Sequence, residues 1–298
     1  MMNSWPSLTP YSRTIPVPGI RGELFVYDSG EVGHAGRQPA APLILLHGLG
    51  DEADSWRHLF PLLAKNRRVI AADLPGFGRS TAGKRVTLAL HRKAVLALLG
   101  ETGPAILAGS SMGAAVAELA AFCRPDLVRA LVFIDGGLPS AGSLSPGLLA
   151  NLVPFAGERR YRSYRGKDGA AWRSLAPYYA DLDALPEADR EFLRIRVADR
   201  VASETQLRAY FSSFRSFIAT ASLAPDRIRG KLAALRQPLL LVWGERDMIL
   251  GGPSKEPLLA ARPDARSVVI PGAGHLPHQE KPEETAAALE SFFRSEGL

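Results

Sequence analysis

Short runs of apolar residues alternate with longer segments of helical periodicity along most of the chain. Most of these runs are continuously apolar, which is typical of parallel strands buried on both faces. The alternation predicts an α/β fold, with a mostly parallel central sheet of about eight strands and helices on both faces. The apolar runs that predict strands are residues 22–28, 42–47, 68–73, 105–110, 131–135, 239–244 and 267–272.

The segments between these runs have helical spacing. Several of them begin with Ser, Thr or Pro, which are preferred at the starts of helices. The predicted helices are residues 55–65, 87–101, 112–123, 225–236, 254–261 and 282–295.

One interval interrupts this pattern, because no apolar strand is evident from residue 139 to residue 224. The interval is far too long for a loop. Periodic stretches at residues 187–201 and 205–221 predict amphipathic helices within it. We therefore predict a helical cap at residues 139–224, inserted into a core domain made of residues 1–138 and 225–298.

The amino-acid composition indicates which partners and which cellular compartment to expect for this protein. Hydrophobic residues make up 46% of the chain and charged residues 22%, as in ordinary globular proteins. The formal net charge is +6, but the basic residues are spread out, so we expect no nucleic acid partner. The single cysteine, Cys123, fits a reducing cytoplasm. We find no signal-peptide pattern and no apolar stretch long enough to span a membrane, and we expect a cytoplasmic monomer or homodimer.

Polar residues recur at the ends of the predicted strands. In open parallel sheets, ligands bind outside the carboxyl ends of the strands, so these residues are expected to share one edge. A sheet that needed only stability would have no reason to collect such residue types there. The residues are His47, Asp73, Ser111, Asp135, Asp247 and His275.

The sharpest motif is the sequence GSSMG at residues 109–113, a G-x-S-x-G between a predicted strand and a predicted helix. The tight turn requires small residues around the central serine and exposes its hydroxyl. The backbone N–H of Met112 lies at the start of the helix and is a candidate donor to an oxyanion. Ser111 is therefore the candidate nucleophile.

From about residue 22 to its end, the chain resembles the α/β-hydrolase superfamily, as a serine-nucleophile, lid-containing and esterase-like member. The order of nucleophile, acid and histidine along the chain is also that of the family. The landmarks that match are HGLG at 47–50, DLPGFGRS at 73–80, the serine motif, GERD at 244–247 and GH at 274–275.

His275, in a glycine-containing loop after the last strand, is the candidate general base for the serine. The resemblance implies that Asp247 is the acid that orients it. Asp135 remains an alternative acid because it ends the strand after the serine motif, and Glu245 is a weaker one. His278 lacks the Gly-His context, and we expect it to have no catalytic role.

The resemblance also implies that the backbone N–H of Leu49 is the second oxyanion donor beside that of Met112. His47 and Asp73 are expected to order their loops. Aromatic residues are candidates for the substrate pocket, with packing in the core as the alternative for each: Trp56, Phe155, Tyr161, Tyr178, Phe211, Phe214 and Phe217. A basic run, Arg159, Arg160, Arg162 and Arg165, is expected to be a solvated helix face, and attraction of an anionic substrate is the alternative.

These expectations favour hydrolysis of a carboxylic ester, as a small-molecule substrate, through an acyl-enzyme on Ser111. The same residues are compatible with C–C bond hydrolysis of dienone acids, lactone opening, aminopeptidase cleavage and perhydrolysis. A receptor-like binding protein on the same scaffold is an alternative of a different class. We find no metal-ligand spacing and no phosphate-binding loop in the sequence, so we expect no metal and no cofactor.

Overall fold

An eight-stranded β-sheet forms the centre of the molecule, in a computed structural model that describes residues 4–18, 22–31, 40–83, 85–139, 150–250 and 252–298. The strand order is β1-β2-β4-β3-β5-β6-β7-β8. The β1–β2 and β2–β4 pairs are antiparallel and the others are parallel, which confirms the predicted fold class. The strands are β1 (Ser12–Pro16), β2 (Glu23–Asp28), β3 (Leu43–Leu46), β4 (Val69–Ala72), β5 (Ala105–Ser110), β6 (Val128–Ile134), β7 (Leu239–Gly244) and β8 (Arg266–Ile270).

The central strands are apolar at every position because both faces of the sheet are covered. In β3, Ile44 and Leu46 pack into one hydrophobic cluster, whereas Leu43 and Leu45 pack into the cluster on the opposite face. Strand β1 was not predicted from the sequence. This edge strand exposes alternate polar side chains and ends at Pro16, so it lacks a continuous apolar run.

Helices cover both faces of the sheet. The predicted helix at residues 55–65 is divided into a 3-10 turn and a short α-helix. The helix predicted at residues 87–101 is continuous, and Thr87 caps its start by accepting the Leu90 N–H with its hydroxyl. The α-helices are α1 (Leu59–Leu63), α2 (Leu88–Thr102), α3 (Met112–Cys123), α4 (Ala156–Arg162), α5 (Asp168–Arg173), α6 (Glu187–Ala202), α7 (Glu204–Leu223), α8 (Pro225–Ala234), α9 (Glu256–Ala261), α10 (Pro277–Glu280) and α11 (Pro282–Ser295). The 3-10 helices are Pro6–Tyr11, Ala53–Trp56, Pro125–Leu127, Ala150–Leu152, Ala176–Tyr178 and Gly252–Lys255.

Residues 150–224, here called the helical segment, contain α4 to α7 and no strand. The two amphipathic helices predicted there are α6 and α7, separated by the extended residue Ser203, whose hydroxyl accepts the Gln206 N–H. Residues 140–149 of the predicted cap lie outside the described residues. Within the described ranges, no helix has both the length and the apolar character needed to cross a membrane.

Candidate active site

Ser111 occupies the turn between β5 and α3, with backbone angles φ 53° and ψ −117°. A Cβ on Gly109 would lie 2.2 Å from the carbonyl carbon of Gly113, and a Cβ on Gly113 would lie 2.2 Å from the carbonyl oxygen of Leu46. Neither glycine can therefore carry a side chain without moving the backbone. This packing explains the glycine spacing around the serine and the close approach of α3 to the end of β3.

The neighbouring strand β6 holds the backbone of the same turn. The Ser111 N–H donates to the carbonyl oxygen of Ile134 at 2.8 Å. A Cβ on Gly136 would lie 2.3 Å from the Ser111 carbonyl oxygen, so the chain after β6 also passes directly against the turn. The position of the serine is thus set by backbone contacts from two adjacent strands.

His275 follows β8 and is buried together with Asp247. Its Nδ1 lies 3.0 Å from Asp247 Oδ2, and its backbone N–H donates to the Tyr178 carbonyl oxygen at 2.9 Å. Asp247 Oδ1 accepts the backbone N–H groups of Ile249 at 2.7 Å and Leu250 at 3.1 Å. Burial by itself would raise the pKa of Asp247, but the imidazole and these N–H groups outweigh it and lower the pKa. The carboxylate is therefore poised to stay charged.

The two alternative acids have other partners. Asp135 accepts the Gly244 N–H, at 3.0 Å to Oδ1 and 3.2 Å to Oδ2. Burial, followed by the charge of Asp247, raises the pKa of Asp135 well above its usual value. Glu245 accepts the Gly272 N–H at 2.8 Å. Of the three acids considered from the sequence, Asp247 is the one whose carboxylate is hydrogen-bonded to His275 in the structure.

His278 lies in a different environment from His275. Its Nε2 is 2.9 Å from the Ser55 hydroxyl, and its ring lies 4.3 Å from that of Trp56. Burial lowers the pKa of His278 to about 3, so its imidazole is neutral at physiological pH. These contacts give His278 a packing role on the scaffold.

His47 and Asp73 organise the loops that follow β3 and β4. The Nδ1–H of His47 donates to the Gly48 carbonyl oxygen at 2.7 Å, while its Nε2 accepts the Leu74 N–H at 2.8 Å. Asp73 accepts the Ala53 N–H at 2.6 Å and is also bound by Arg79. The two side chains join the β3 and β4 loops across the edge of the sheet.

The loop after β3 also approaches the serine. A Cβ on Gly48 would lie 3.3 Å from the Ser111 Cβ, and both Leu49 and Met112 border the cavity that Ser111 faces. Met112 is the first residue of α3, where a backbone N–H has no acceptor within the helix. The structure thus brings both predicted oxyanion donors to the cavity that contains the serine.

This cavity, of about 480 Å³, lies between the sheet edge and the helical segment. Ser111 and His275 line its base. Of the predicted pocket residues, those that line it are Tyr161, Tyr178, Phe211, Phe214 and Phe217. Aromatic rings from the helical segment therefore form much of the surface that faces the serine.

Two predicted pocket residues lie elsewhere, and the expectation for them is corrected. Trp56 is fully buried in the hydrophobic cluster that contains Leu43 and Leu45 and does not line the cavity. Phe155 is 84% exposed and precedes α4, at a positive φ of 65°. Hydrophobicity alone could not distinguish a ring in the pocket from a ring in the core or at the surface.

Two polar residues of the cavity wall, Asp51 and Arg200, were not found from the sequence. Arg200 donates to Asp51 at 2.6 Å and to Glu52 at 2.7 Å, and both Arg200 and Asp51 line the cavity. Arg196 forms a further ion pair with the fully buried Glu52. The partners are between 144 and 149 residues apart, so no local pattern indicates the pairing.

The basic run is divided between the surface and the cavity. Arg162 and Arg165 form ion pairs with Glu204 at 3.0 Å and 2.8 Å, which agrees with a helix face in contact with solvent. Arg160, however, lines the cavity, where it also hydrogen-bonds Asn151. One cation of the run thus borders the space that a substrate would occupy.

Asp135, Asp247 and His275 each place one potential ligand atom within 4.8 Å of the others. Such a cluster could in principle hold a metal ion. However, His275 Nδ1 and Asp247 Oδ2 are already hydrogen-bonded to each other, and both Asp135 oxygens accept the Gly244 N–H. The geometry is that of a hydrogen-bonded acid and imidazole.

Comparison with known proteins agrees with this geometry. A family model described as "Alpha/beta hydrolase family" matches residues 43–288. A pimeloyl-[acyl-carrier protein] methyl ester esterase of Edwardsiella ictaluri is 31% identical over 252 residues, which cover 84% of this chain and 92% of that protein.

Two further relatives extend the comparison. The dihydrolipoyllysine-residue acetyltransferase component of the acetoin cleaving system of Pseudomonas putida is 32% identical over 269 residues, or 87% of this chain. The alignment spans only 65% of that protein's length. The solved structure of a thermophilic esterase from Thermogutta terrifontis has a TM-score of 0.73 and 25% identity, and covers 96% of this chain and 98% of its own.

Proposed function

We propose that this chain, which belongs to the alpha/beta hydrolase family, cleaves carboxylic esters with Ser111 as its nucleophile. The observation that carries the proposal is the 3.0 Å hydrogen bond between Asp247 and His275, beside a cavity lined by both His275 and Ser111. A serine hydroxyl attacks a carbonyl at neutral pH only when a nearby base accepts its proton. The oriented imidazole supplies that base.

In acylation, the Ser111 Oγ attacks the ester carbonyl carbon while its proton passes to Nε2 of His275. The carbonyl oxygen becomes an oxyanion, which the backbone N–H groups of Leu49 and Met112 stabilise. When the tetrahedral intermediate collapses, the bond to the alcohol oxygen breaks. The proton on His275 moves to that oxygen, and the alcohol leaves an acyl group on the serine.

In deacylation, water takes the place of the alcohol. His275 accepts a proton from the water as its oxygen attacks the acyl carbon, and the same two N–H groups stabilise the second oxyanion. Collapse of this intermediate breaks the bond to the Ser111 Oγ, which takes the proton back from the imidazole. The carboxylic acid leaves and the serine is restored.

Asp247 acts on this cycle through His275. Its lowered pKa keeps the carboxylate ionised at neutral pH. An ionised carboxylate on Nδ1 favours the tautomer that carries hydrogen there, which leaves Nε2 free to act as a base. The negative charge also stabilises the imidazolium that forms in each transition state.

In this proposal the helical segment, residues 150–224 of the predicted cap, forms one wall of the substrate pocket. Aromatic side chains of its described part, including Tyr178 and Phe211, face the cavity together with aliphatic residues such as Val197. A cavity of about 480 Å³ lies within the usual range for small-molecule sites. These features favour an ester with a medium-sized, mainly apolar group.

C–C bond hydrolysis of a dienone acid is the second candidate. Such a substrate carries a carboxylate, and Arg160 on the cavity wall is a cation that could bind it. A panel of p-nitrophenyl esters, lactones and dienone acids separates the two activities. Preference for the uncharged esters supports the first proposal, and preference for the dienone acids supports the second.

The proposed nucleophile is tested with Ser111→Ala, measured on p-nitrophenyl butyrate. Loss of the attacking hydroxyl is expected to lower kcat by at least about 10⁴-fold. Labelling by a fluorophosphonate should be lost as well. Ser295→Ala changes an exposed serine at the end of α11 and serves as the control, with unchanged turnover and labelling expected.

Two results would contradict the proposal. Unchanged turnover in Ser111→Ala would exclude the serine as the nucleophile. Labelling of the unmodified protein at Ser111 without turnover of any substrate in the panel would favour the receptor-like alternative instead.

A further inference from the structure

Asp135 follows β6, Asp247 follows β7, and the two side chains lie close enough for a hydrogen bond between their carboxyl groups. An oxygen of each acid and a nitrogen of His275 lie within 4.8 Å of one another. Both acids are buried, with residue exposures of 0% for Asp135 and 7% for Asp247. Two carboxyl groups therefore lie close together in an enclosed part of the sheet edge.

A hydrogen bond between two carboxyl groups requires a proton. Ionised carboxylates are acceptors only, so one partner must be a carboxylic acid that donates its O–H. Two like charges at this separation in a buried site also repel strongly, which favours retention of one proton. The pair therefore carries a single negative charge and one acidic proton.

The neighbours of the two acids indicate which one holds the proton. Asp247 faces the imidazole of His275 and accepts two backbone N–H groups, all of which favour its ionised form. Within the described residues, the backbone N–H that Asp135 accepts is that of Gly244, and the carboxylates of Asp247 and Glu280 raise its pKa. The proton therefore resides on Asp135.

We propose that Asp135 is a positioning residue, a neutral carboxylic acid whose O–H donates to Asp247 and holds that carboxylate against Nδ1 of His275. The inference rests on the proposed function, because His275 is the base that benefits. It assigns separate roles to the two acids: Asp247 carries the charge and Asp135 fixes its position.

The pKa directions agree with this assignment. Burial, followed by the charge of Asp247, raises the pKa of Asp135 well above its usual value, whereas the pKa of Asp247 is lowered. The backbone at Asp135 has a positive φ of 44°, a region that Asp and Asn adopt more readily than other non-glycine residues. An asparagine should therefore fit this position without further strain.

The first test is Asp135→Asn, which keeps a donor for Asp247 and an acceptor for the Gly244 N–H. If Asp135 is neutral, kcat should stay within about threefold of the unmodified enzyme. The acidic limb of the profile of kcat/KM against pH should keep its position, because no charge near His275 has been removed. Loss of an ionised Asp135 would instead move that limb to lower pH by about one unit.

The second test is Asp135→Ala, which removes both the donor and the acceptor. Asp247 would then be held less firmly, and kcat is expected to fall by about 30-fold while KM changes by less than about twofold. Restored kcat in the asparagine variant separates this effect from general damage to the fold. A lowered melting temperature with unchanged kcat would show that Asp135 is merely structural and would overturn the proposal.

A direct measurement does not depend on turnover. The infrared difference spectrum of the resting protein minus Asp135→Asn, at neutral pH, should contain the C=O stretching band of a protonated carboxylic acid. Asp126→Asn, which changes an exposed acid paired with Arg124, should give no such band. Absence of the band at Asp135 would overturn the proposal even if Ser111 is catalytic, and its presence would support the proposal whatever the substrate.

Discussion

The sheet edge and the helical segment face the same cavity but are held in place by different interactions. At the edge, Ser111 is positioned by backbone contacts with Ile134, Gly136 and the neighbouring glycines. The helical segment is attached by buried side chains, with Arg196 and Arg200 of α6 paired with Glu52 and Asp51 of the loop after β3.

The turn at Ser111 and the wall of the pocket therefore differ in how far the sequence reveals them. Backbone contacts in a tight turn require particular residues at fixed spacing, so they leave a motif in the sequence. Ion pairs between distant parts of the chain require only that two side chains meet after folding. The proposed nucleophile can therefore be recognised from sequence spacing, whereas the residues that line the cavity cannot.

The largest expected change in stability comes from Arg196→Met, which tests whether ion pairs hold the helical segment. The change leaves the fully buried carboxylate of Glu52 without one of its two arginine partners. The free energy of unfolding is expected to fall by about 4 kcal/mol, measured by urea denaturation. Because Glu52 lies in the loop after β3, close to Leu49, the proposed oxyanion donor, kcat/KM should fall as well.

Two variants accompany this measurement. Arg162→Met removes an exposed pair with Glu204 and should leave the unfolding free energy nearly unchanged. Adding Glu52→Gln to Arg196→Met removes the unpaired charge and should restore part of the loss. Equal stability of the two single variants would show that the buried pairs do not hold the helical segment.

A second, slightly smaller change in the free energy of unfolding is expected at Glu118, in the helix that follows Ser111. Glu118 of α3 is fully buried and accepts the Leu138 N–H at 2.8 Å, and burial raises its pKa to about 8. An acid whose pKa is raised by folding lowers stability as pH rises from its unfolded pKa towards its folded pKa. Glu118→Gln is therefore expected to increase the unfolding free energy by roughly 3 kcal/mol at pH 7 and by only about 1 kcal/mol at pH 5.

Thermal or urea unfolding of both proteins at pH 5 and at pH 7 measures this gain in stability. The control Glu283→Gln, at an exposed position in the first turn of α11, should show no such gain. A gain from Glu118→Gln that is the same at both pH values would contradict a buried, neutral Glu118.

The smallest expected effect is a change in substrate preference, which should differ between two phenylalanines of the helical segment. Phe211 lines the cavity, whereas Phe155 is exposed. Phe211→Leu should change the ratio of kcat/KM for octanoate and butyrate p-nitrophenyl esters by about fivefold, an effect on the order of 1 kcal/mol. Phe155→Leu should leave the ratio unchanged, and equal responses of the two variants would place the substrate elsewhere.

The sequence predicted the parts of this protein that depend on local rules. Continuous apolar runs predicted the central strands, and the fold class is confirmed. The edge strand β1 was missed because its pattern is half polar. The motif around Ser111 required glycines that the structure shows to be in backbone contact, so it could be recognised from spacing alone.

The partner of His275 and the wall of the pocket depended on tertiary structure. Asp135 and Asp247 both follow apolar strands, and only folding shows that Asp247 is bonded to the imidazole while Asp135 contacts Asp247. Trp56 and Phe211 are both large aromatic residues in the sequence. In the structure Trp56 is buried in the hydrophobic cluster with Leu43 and Leu45, whereas Phe211 lines the cavity. Periodicity and turn chemistry act over a few residues, whereas these contacts join segments that only the packed chain brings together.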